Sequence, residues 1–481
     1  MDGRLMLLCV VLVPCIGAFV LPLLGRISVG LRNIIALAMA VVPLILVVAI
    51  LPAVVSDGSV KVSINFDNNF NFVLYADGLA VFVAIVSALI SSIIIFYSFG
   101  YISHYENQNE YYLMVLLFLG GMLGLIFSEN LIFLYLFWEI TAITSWRLIG
   151  FFREKQHVIR ADKAFLVTML GSLLMLIAFI SIYQNTGSFD LQVIKEKLGT
   201  GHLSNLAVGL ILVGILSKSA TLPFHTWLPD AGVAPSPVTA LLHAALLVKI
   251  GVYVFARLFI ATFTVDTFWH TAVPIIAGVS ALVAAGAAMI DTDLKRIIAY
   301  STVSQIGFIF LGLSIGNELG VVGAILYILM HGLAKGGLFL CAGIVEQNTK
   351  TKDITRLGGL IKTMPVTAIA FLFCAFSVMG IPPFGGFFSK YMVMTSTIQA
   401  GNLWIMFVFL LGAFMTIVYL FRVFNLVFLG EAKTQPVREG SPVMVISVAS
   451  LAILSLAAGF CVAWPTQFVM SAIQQLPGVT R

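Results

Sequence analysis

Long apolar runs recur along the whole of this chain, and they constrain it more than any other feature. A lipid-crossing helix needs about 20 mostly apolar residues. Fourteen such windows fit the sequence: 5–24, 33–55, 73–99, 112–128, 131–150, 163–184, 206–228, 237–259, 271–290, 296–314, 320–345, 364–398 with an interruption, 403–429 and 441–465. Backbone groups in hydrocarbon must bond within the protein, so runs of this length fold as helices. The expected fold class is therefore an all-α polytopic membrane protein with about 14 transmembrane helices. Of 481 residues, 60% are hydrophobic and 10% charged, against about 25% charged in soluble domains. The first run, MDGRLMLLCVVLVPCIGAF, is followed by no small-x-small cleavage site and reads as an uncleaved helix.

The basic residues then set orientation. With the N-terminus outside, fifteen Lys and Arg fall in cytoplasmic connections, among them Arg26, Arg32, Arg153, Lys163, Lys295, Arg296, Lys350 and Arg422. Six fall on the other side: Arg4, Lys61, Lys195, Lys197, Arg257 and Arg481. This bias places both termini outside the cytoplasm. Arg147, near the cytoplasmic end of the fifth span, is expected to snorkel to the interface. The net charge of +5 thus marks topology and does not point to nucleic acid. The connections at 56–72, 185–205 and 346–363 are too short for a soluble domain. No G-x-G-x-x-G after a strand and no P-loop occurs, so neither a redox nor an ATP-hydrolysing site is expected in this chain. The five cysteines stand singly in apolar stretches, reading as small buried hydrophobes; no metal site and no bound cofactor are expected.

Five charges remain inside apolar spans: Glu139, Lys218, Lys249, Lys335 and Lys390. Each costs about 2.5 to 3.5 kcal/mol at the centre of a helix facing lipid, so they must face each other or water. A structural ion pair or snorkelling accounts for any one of them alone. Four lysines for one central glutamate, however, leave an excess of positive charge that no structural pairing requires. Desolvation favours a neutral amine and a nearby carboxylate favours the ammonium. Moving Glu139 relative to Lys218 would therefore switch the lysine, which is the physical basis of a proton relay. His243, before Lys249, and His331, at i, i+4 to Lys335, are candidate next acceptors, with His225 a further candidate for relay or gating; packed, hydrogen-bonded core histidines are the bland alternative.

Two of the runs carry proline in mid-segment, Pro223 in SKSATLPFHTWLPD and Pro382–Pro383 in SVMGIPPFGGFFSKYM. Interior proline removes a backbone bond, and in lipid the freed carbonyls survive only inside protein or beside water. Each break lies close to one of the lysines. The broken spans are five apart, which divides the chain into helices 1–3 (1–111), a bundle of helices 4–8 (112–260), a bundle of helices 9–13 (261–430) and a last helix with its tail (431–481). An odd number of spans per repeat inverts the second copy, and paired broken helices in inverted repeats point to an ion path.

WE at 138–139, SKSATLPFHTWLPDA at 217–231, APSPVTALLHAALLVKIGVY after it, KRIIAYSTVSQIG at 295–307, HGLAKGGLFL at 331–340 and GIPPFGGFFSK at 380–390 together resemble the antiporter-like membrane subunits. That family serves complex I, Mrp-type sodium/proton antiporters and energy-converting hydrogenases. The resemblance implies two inverted five-helix bundles and a polar axis at mid-membrane. It implies that Glu139 modulates Lys218, that His243 and Lys249, then His331 and Lys335, connect the bundles, and that Lys390, a glutamate in some members, ends the second half-channel. Arg147 stands where the family pattern suggests a small or apolar residue.

The leading expectation is a proton-translocating subunit of a redox-driven complex, either complex I-like or hydrogenase-like. Its redox cofactors would lie in partner subunits, and it would sit among sister membrane subunits in the inner membrane of a prokaryote, moving H⁺, with Na⁺ the other candidate ion. The alternative is a subunit of an Mrp-type secondary Na⁺/H⁺ antiporter without redox coupling, and a second is a non-conducting membrane scaffold.

Overall fold

The computed structural model describes residues 2–67, 70–199, 201–433, 435, 437–474, 476 and 479, without side chains at 65–67 and 70; Arg481, counted above as an outside charge, lies beyond them. Helices follow the apolar runs closely. The first crossings are α1 (Gly3–Ile27) and α2 (Val29–Asp57), joined by Ser28, whose hydroxyl accepts from the Leu31 N–H to cap α2. A hairpin of β1 (Val60–Asp67) and β2 (Phe70–Ala76) follows. The connection expected at 56–72 is therefore partly strand, and the third span begins later than the expected 73. The alternating pattern VKVSINFD fits a strand, and α3 starts only at 78, after the Asp77 N-cap.

Next come α3 (Gly78–Tyr101), α4 (Gln108–Phe127), α5 (Leu131–Ile149), α6 (Lys155–Thr186), the short surface helix α7 (Leu191–Leu198) and α8 (Asn205–Lys218). The chain then breaks and resumes in α9 (Trp227–Asp230) and α10 (Ser236–Ala240). A π-helical turn over 241–245, α11 (Leu247–Phe255) and a second π turn over 256–260 complete the eighth span. Beyond it lie α12 (Thr267–Ile290), α13 (Leu294–Ile315), α14 (Glu318–Thr349), the half-helices α15 (Pro365–Met379) and α16 (Gly385–Gln399), α17 (Leu403–Phe428), α18 (Pro442–Phe460) and α19 (Ala463–Ile473). Among the described residues, twelve helices are long and apolar enough to cross a membrane. The two broken segments, which begin with α8 and with α15, supply the other two crossings. An even number of crossings puts both chain ends and the hairpin on one face, here called the hairpin face.

Burial separates the centre from the rim. The most apolar window of the eighth span is wholly buried and those of α13 and α14 are 94% buried, against 28% for α2. A helix apolar all round and covered on every side belongs at the core, so α10–α11, α13 and α14 form the axis and α2 lies at the rim.

Several charges counted as loop markers are buried instead. Arg257 forms a bidentate pair with Asp77, at 2.6 and 2.7 Å. Lys295 pairs with Glu346 and is 2% exposed. Arg32 is equally buried among Asn33, Gln108 and Asn109. Arg147 does not snorkel alone: it bonds Glu110, which also takes Arg153 at 2.7 Å. Of the cysteines, Cys341 and Cys374 are buried as expected, but Cys461 is exposed.

Candidate ion path

The first break is stabilised locally. Helix α8 ends at Lys218, and the indole N–H of Trp227 donates to the Ser217 carbonyl at 2.9 Å. The Leu222 N–H donates to Ser280 of α12 at 3.2 Å. Backbone groups released by the break are thus bonded within protein, as a membrane interior demands. Lys218, fully buried, donates to the Trp138 carbonyl at 3.2 Å and lies 5.3 Å from the centre of that indole ring. Glu139 follows Trp138 on α5. Both its carboxylate oxygens are buried without a hydrogen-bond partner, and no contact ion pair joins it to Lys218.

The π turn at 241–245 shapes the next station. Lys249, 1% exposed, donates to the His243 carbonyl at 2.8 Å and meets Nδ1 of His331 on α14 at 2.8 Å. His331 therefore contacts Lys249 across helices; the i, i+4 pairing with Lys335 expected from sequence is not made. The His243 ring lies 4.4 Å from that of Phe339, tilted by 37°, and neither of its nitrogens has a partner. Lys335 turns instead to α13, donating to the Ile298 carbonyl at 3.1 Å and the Ser301 hydroxyl at 2.6 Å. His225 sits half-buried in the first break with its Nδ1 unpartnered, and no hydrogen bond joins it to these lysines among the described residues.

At the second break, Lys390 of α16 donates to the Val378 carbonyl of α15 at 2.6 Å. A helix continuing through 382 would spend that carbonyl on the N–H four residues on, but Pro382 has none; the lysine supplies the donor. Its ammonium also lies 5.2 Å from the Phe308 ring and 5.7 Å from the Tyr327 ring.

A polar string that the sequence reading missed links these last stations. Tyr419 of α17 bonds the Ser301 hydroxyl at 2.6 Å. Tyr327 donates to Gln305 at 2.6 Å, and Gln305 donates to Thr416 at 3.2 Å. Tyr327, His331 and Lys335 share one face of α14 at i, i+4 and i+8, a stripe visible in YILMHGLAK once the spacing is sought. Among the described residues none of the four lysines is in an ion pair. Neutral oxygens and one imidazole hold them all, and Lys249 with His331 is the one pair of these stations in direct contact among the described residues.

A fourteen-crossing bundle with two broken helices and a buried row of lysines defines an antiporter-like membrane subunit. The chain belongs to the NADH:quinone oxidoreductase/Mrp antiporter transmembrane family, whose model matches residues 128–416. Residues 63–112 match the family of the N-terminus of complex I chain 5. Na(+)/H(+) antiporter subunit A1 of Staphylococcus aureus is 33% identical over 93% of this chain and 60% of its own length, so the chain spans about three fifths of that relative. Among solved structures, a chain of the Mrp complex from Dietzia sp. DQ12-45-1b has the same fold, with a TM-score of 0.88, 22% identity, and 98% and 97% of the two chains covered. A chain of the membrane-bound sulfane sulfur reductase, an archaeal respiratory membrane complex, matches with a TM-score of 0.89 and 25% identity over the same shares. Both are parts of multi-subunit membrane complexes.

Proposed function

We propose that this chain is an ion-translocating subunit of an Mrp-type secondary Na⁺/H⁺ antiporter, moving protons along Glu139, Lys218, Lys249, His331, Lys335 and Lys390. His243 and His225 act beside that row as relay or gate. The observation that carries the reading is the row of four buried lysines without fixed counter-ions, two of them at helix breaks. The kinship with a sodium/proton antiporter subunit favours exchange without redox coupling over the redox-driven reading reached from sequence. The chain then sits in the inner membrane of a prokaryote among sister membrane subunits. The hairpin face and both termini are outside the cytoplasm, and residues 112–260 and 261–430 act as two inverted units.

The test is transport by the assembled complex in sealed vesicles with no electron donor. Sodium-driven proton movement is expected, and Lys218→Ala and Glu139→Gln abolish most of it while the complex still assembles. Wild-type rates in both variants refute the reading. The kinship with the sulfane sulfur reductase chain keeps the redox-driven reading as the second one, and transport that requires an electron donor would favour it. Unchanged transport after joint apolar replacement of Lys218 and Glu139 would instead leave a scaffold.

A further inference from the structure

The row of lysines runs at mid-membrane, so a proton on it must still reach water. On the hairpin face, a second cluster of titratable groups stands outside the row. Glu129 lies in the three-residue turn between α4 and α5, and two elements pin it. Its N–H donates to the Val73 carbonyl of β2 at 3.1 Å, and its carbonyl accepts from Leu191 of α7 at 2.9 Å. Flanking bridges join Leu74 with Ser128 and Asn130 with Asp190. The residue is 8% exposed, so it touches water at one edge only.

Charged groups on each element around it act on Glu129 through space: Arg257 at the end of the eighth span, Asp77 at the start of α3, Asp190 at the start of α7 and Lys61 of β1. Burial pushes its carboxyl up to about 7, Arg257 and Lys61 opposing and Asp77 and Asp190 adding to the rise. Arg257 is the hinge of the cluster. Its two terminal nitrogens hold Asp77, and its Nε donates to the Tyr253 hydroxyl at 3.0 Å. Burial also raises Asp77, but the facing guanidinium outweighs it and keeps that carboxyl below its usual range. Lys249, Tyr253 and Arg257 follow at i, i+4 and i+8, so they climb one face of the eighth span from the lysine row to Glu129.

We propose that Glu129 is the port where protons exchange between the lysine row and water on the hairpin face, with Arg257, held by Asp77, as its gate. This rests on the reading that the chain conducts protons. In the outward direction a proton leaves the Lys249 ammonium, giving the amine. The Tyr253 hydroxyl, which at rest donates to the Ile126 carbonyl and accepts from Arg257 Nε, turns away from Ile126 to release its own proton toward Glu129 as it takes up the incoming one. The Glu129 carboxylate becomes a carboxylic acid, and that acid then gives its proton to water. A charged Glu129 competes with Asp77 for Arg257 and loosens the pair; a neutral Glu129 leaves the pair closed behind it. One arginine between two carboxylates thereby couples the charge at the port to the state of the path.

The test uses the intact complex in oriented vesicles, varying pH on the hairpin face alone. Glu129→Gln is expected to slow transport by about 100-fold, the scale of a lost proton-transfer group, and to erase the pH dependence near neutrality on that face. Glu129→Asp keeps transport with a displaced pH profile. Infrared difference spectra of the purified complex should show a protonated carboxyl band that titrates near neutral pH and is missing in Glu129→Gln. A wild-type rate and pH profile in Glu129→Gln, or no such band lost, overturns the port. If Glu129→Gln fails to assemble, the Glu129→Asp profile and the titration of the band in the unaltered complex decide. Loss of transport in Lys218→Ala alongside an unaffected Glu129→Gln sinks the port alone, whereas unaffected Lys218→Ala and Glu139→Gln sink the conduction reading beneath it.

Discussion

Gly459 of α18 passes against the second break so closely that a Cβ there would lie 1.8 Å from the Pro383 carbonyl oxygen and 2.9 Å from the Gly385 nitrogen. Ordinary carbon–oxygen contacts begin at about 3.3 Å, so Gly459→Ala requires the carbonyl to retreat by roughly 1.5 Å. The obstacle is backbone between α15 and α16 and cannot rotate away. Overpacking of this kind costs about 1 to 3 kcal/mol, with a backbone clash at the upper end. Alanine recovers at most about 1 kcal/mol of helix propensity, so a net loss of about 2 kcal/mol is expected. The consequence falls on Lys390, whose 2.6 Å bond to Val378 spans the same break. Gly286→Ala on α12 is the control, because its nearest neighbour would be Met415 Cε at 3.8 Å, an ordinary contact. Thermal unfolding of the purified protein in detergent should rank Gly286→Ala at or above the wild type and Gly459→Ala below it. Transport should fall only in the latter. Equal stability and equal transport in the two variants would show that the α18 contact does not hold the break.

Two further outcomes follow from the hairpin-face cluster. Asp77→Asn leaves Arg257 buried without its charge partner and should destabilise the protein by about 3 to 5 kcal/mol, whereas joint replacement by Leu and Met should cost far less; denaturation of the three proteins compares them. Glu129 sets a pH dependence of the opposite sense to a salt-bridged carboxylate. Its folded-state affinity near 7 exceeds the usual 4.5, so between these values the folded state holds a proton that the unfolded chain releases. Its contribution, about 3 kcal/mol, is present in acid and is lost as pH rises through 7. Melting temperature between about pH 5 and about pH 8 should therefore decline more in the wild type than in Glu129→Gln.

The spans were legible because lipid leaves the backbone few choices, and the apolar runs and prolines record them directly. Lys218 and Lys390 were legible for the same reason: a lysine preceded by GLILVGILS or FFS in a helix of lipid length has few places to go. Their partners were not. A carbonyl acceptor has no letter in the sequence, so Trp138, His243, Ile298 and Val378 could be found as ligands only from coordinates. Arg257 and Asp77 were missed because each stands at the end of an apolar run, where a charge ordinarily marks the membrane boundary, and because they are 180 residues apart. The π turns escaped too, since LLHAA and ARLFI fit an α-helix equally well.

The way the lysines are held fits conduction better than scaffolding. A lysine kept in place by an ion pair is locked in one protonation state by its partner. Lys335, bonded to the Ile298 carbonyl and the Ser301 hydroxyl, can keep both bonds as either ammonium or amine, because both forms carry N–H donors. The geometry thus survives a change of charge, as a relay requires. A glutamine at 335 carries two N–H donors and does not titrate. Lys335→Gln should therefore assemble and melt close to the wild type yet lose proton movement, while Lys335→Ala, which leaves buried acceptors unmet at a cost of about 1 to 3 kcal/mol, should lose stability as well. Transport by Lys335→Gln at the wild-type rate would mean that the amine serves only as a donor, and that protons do not pass through it.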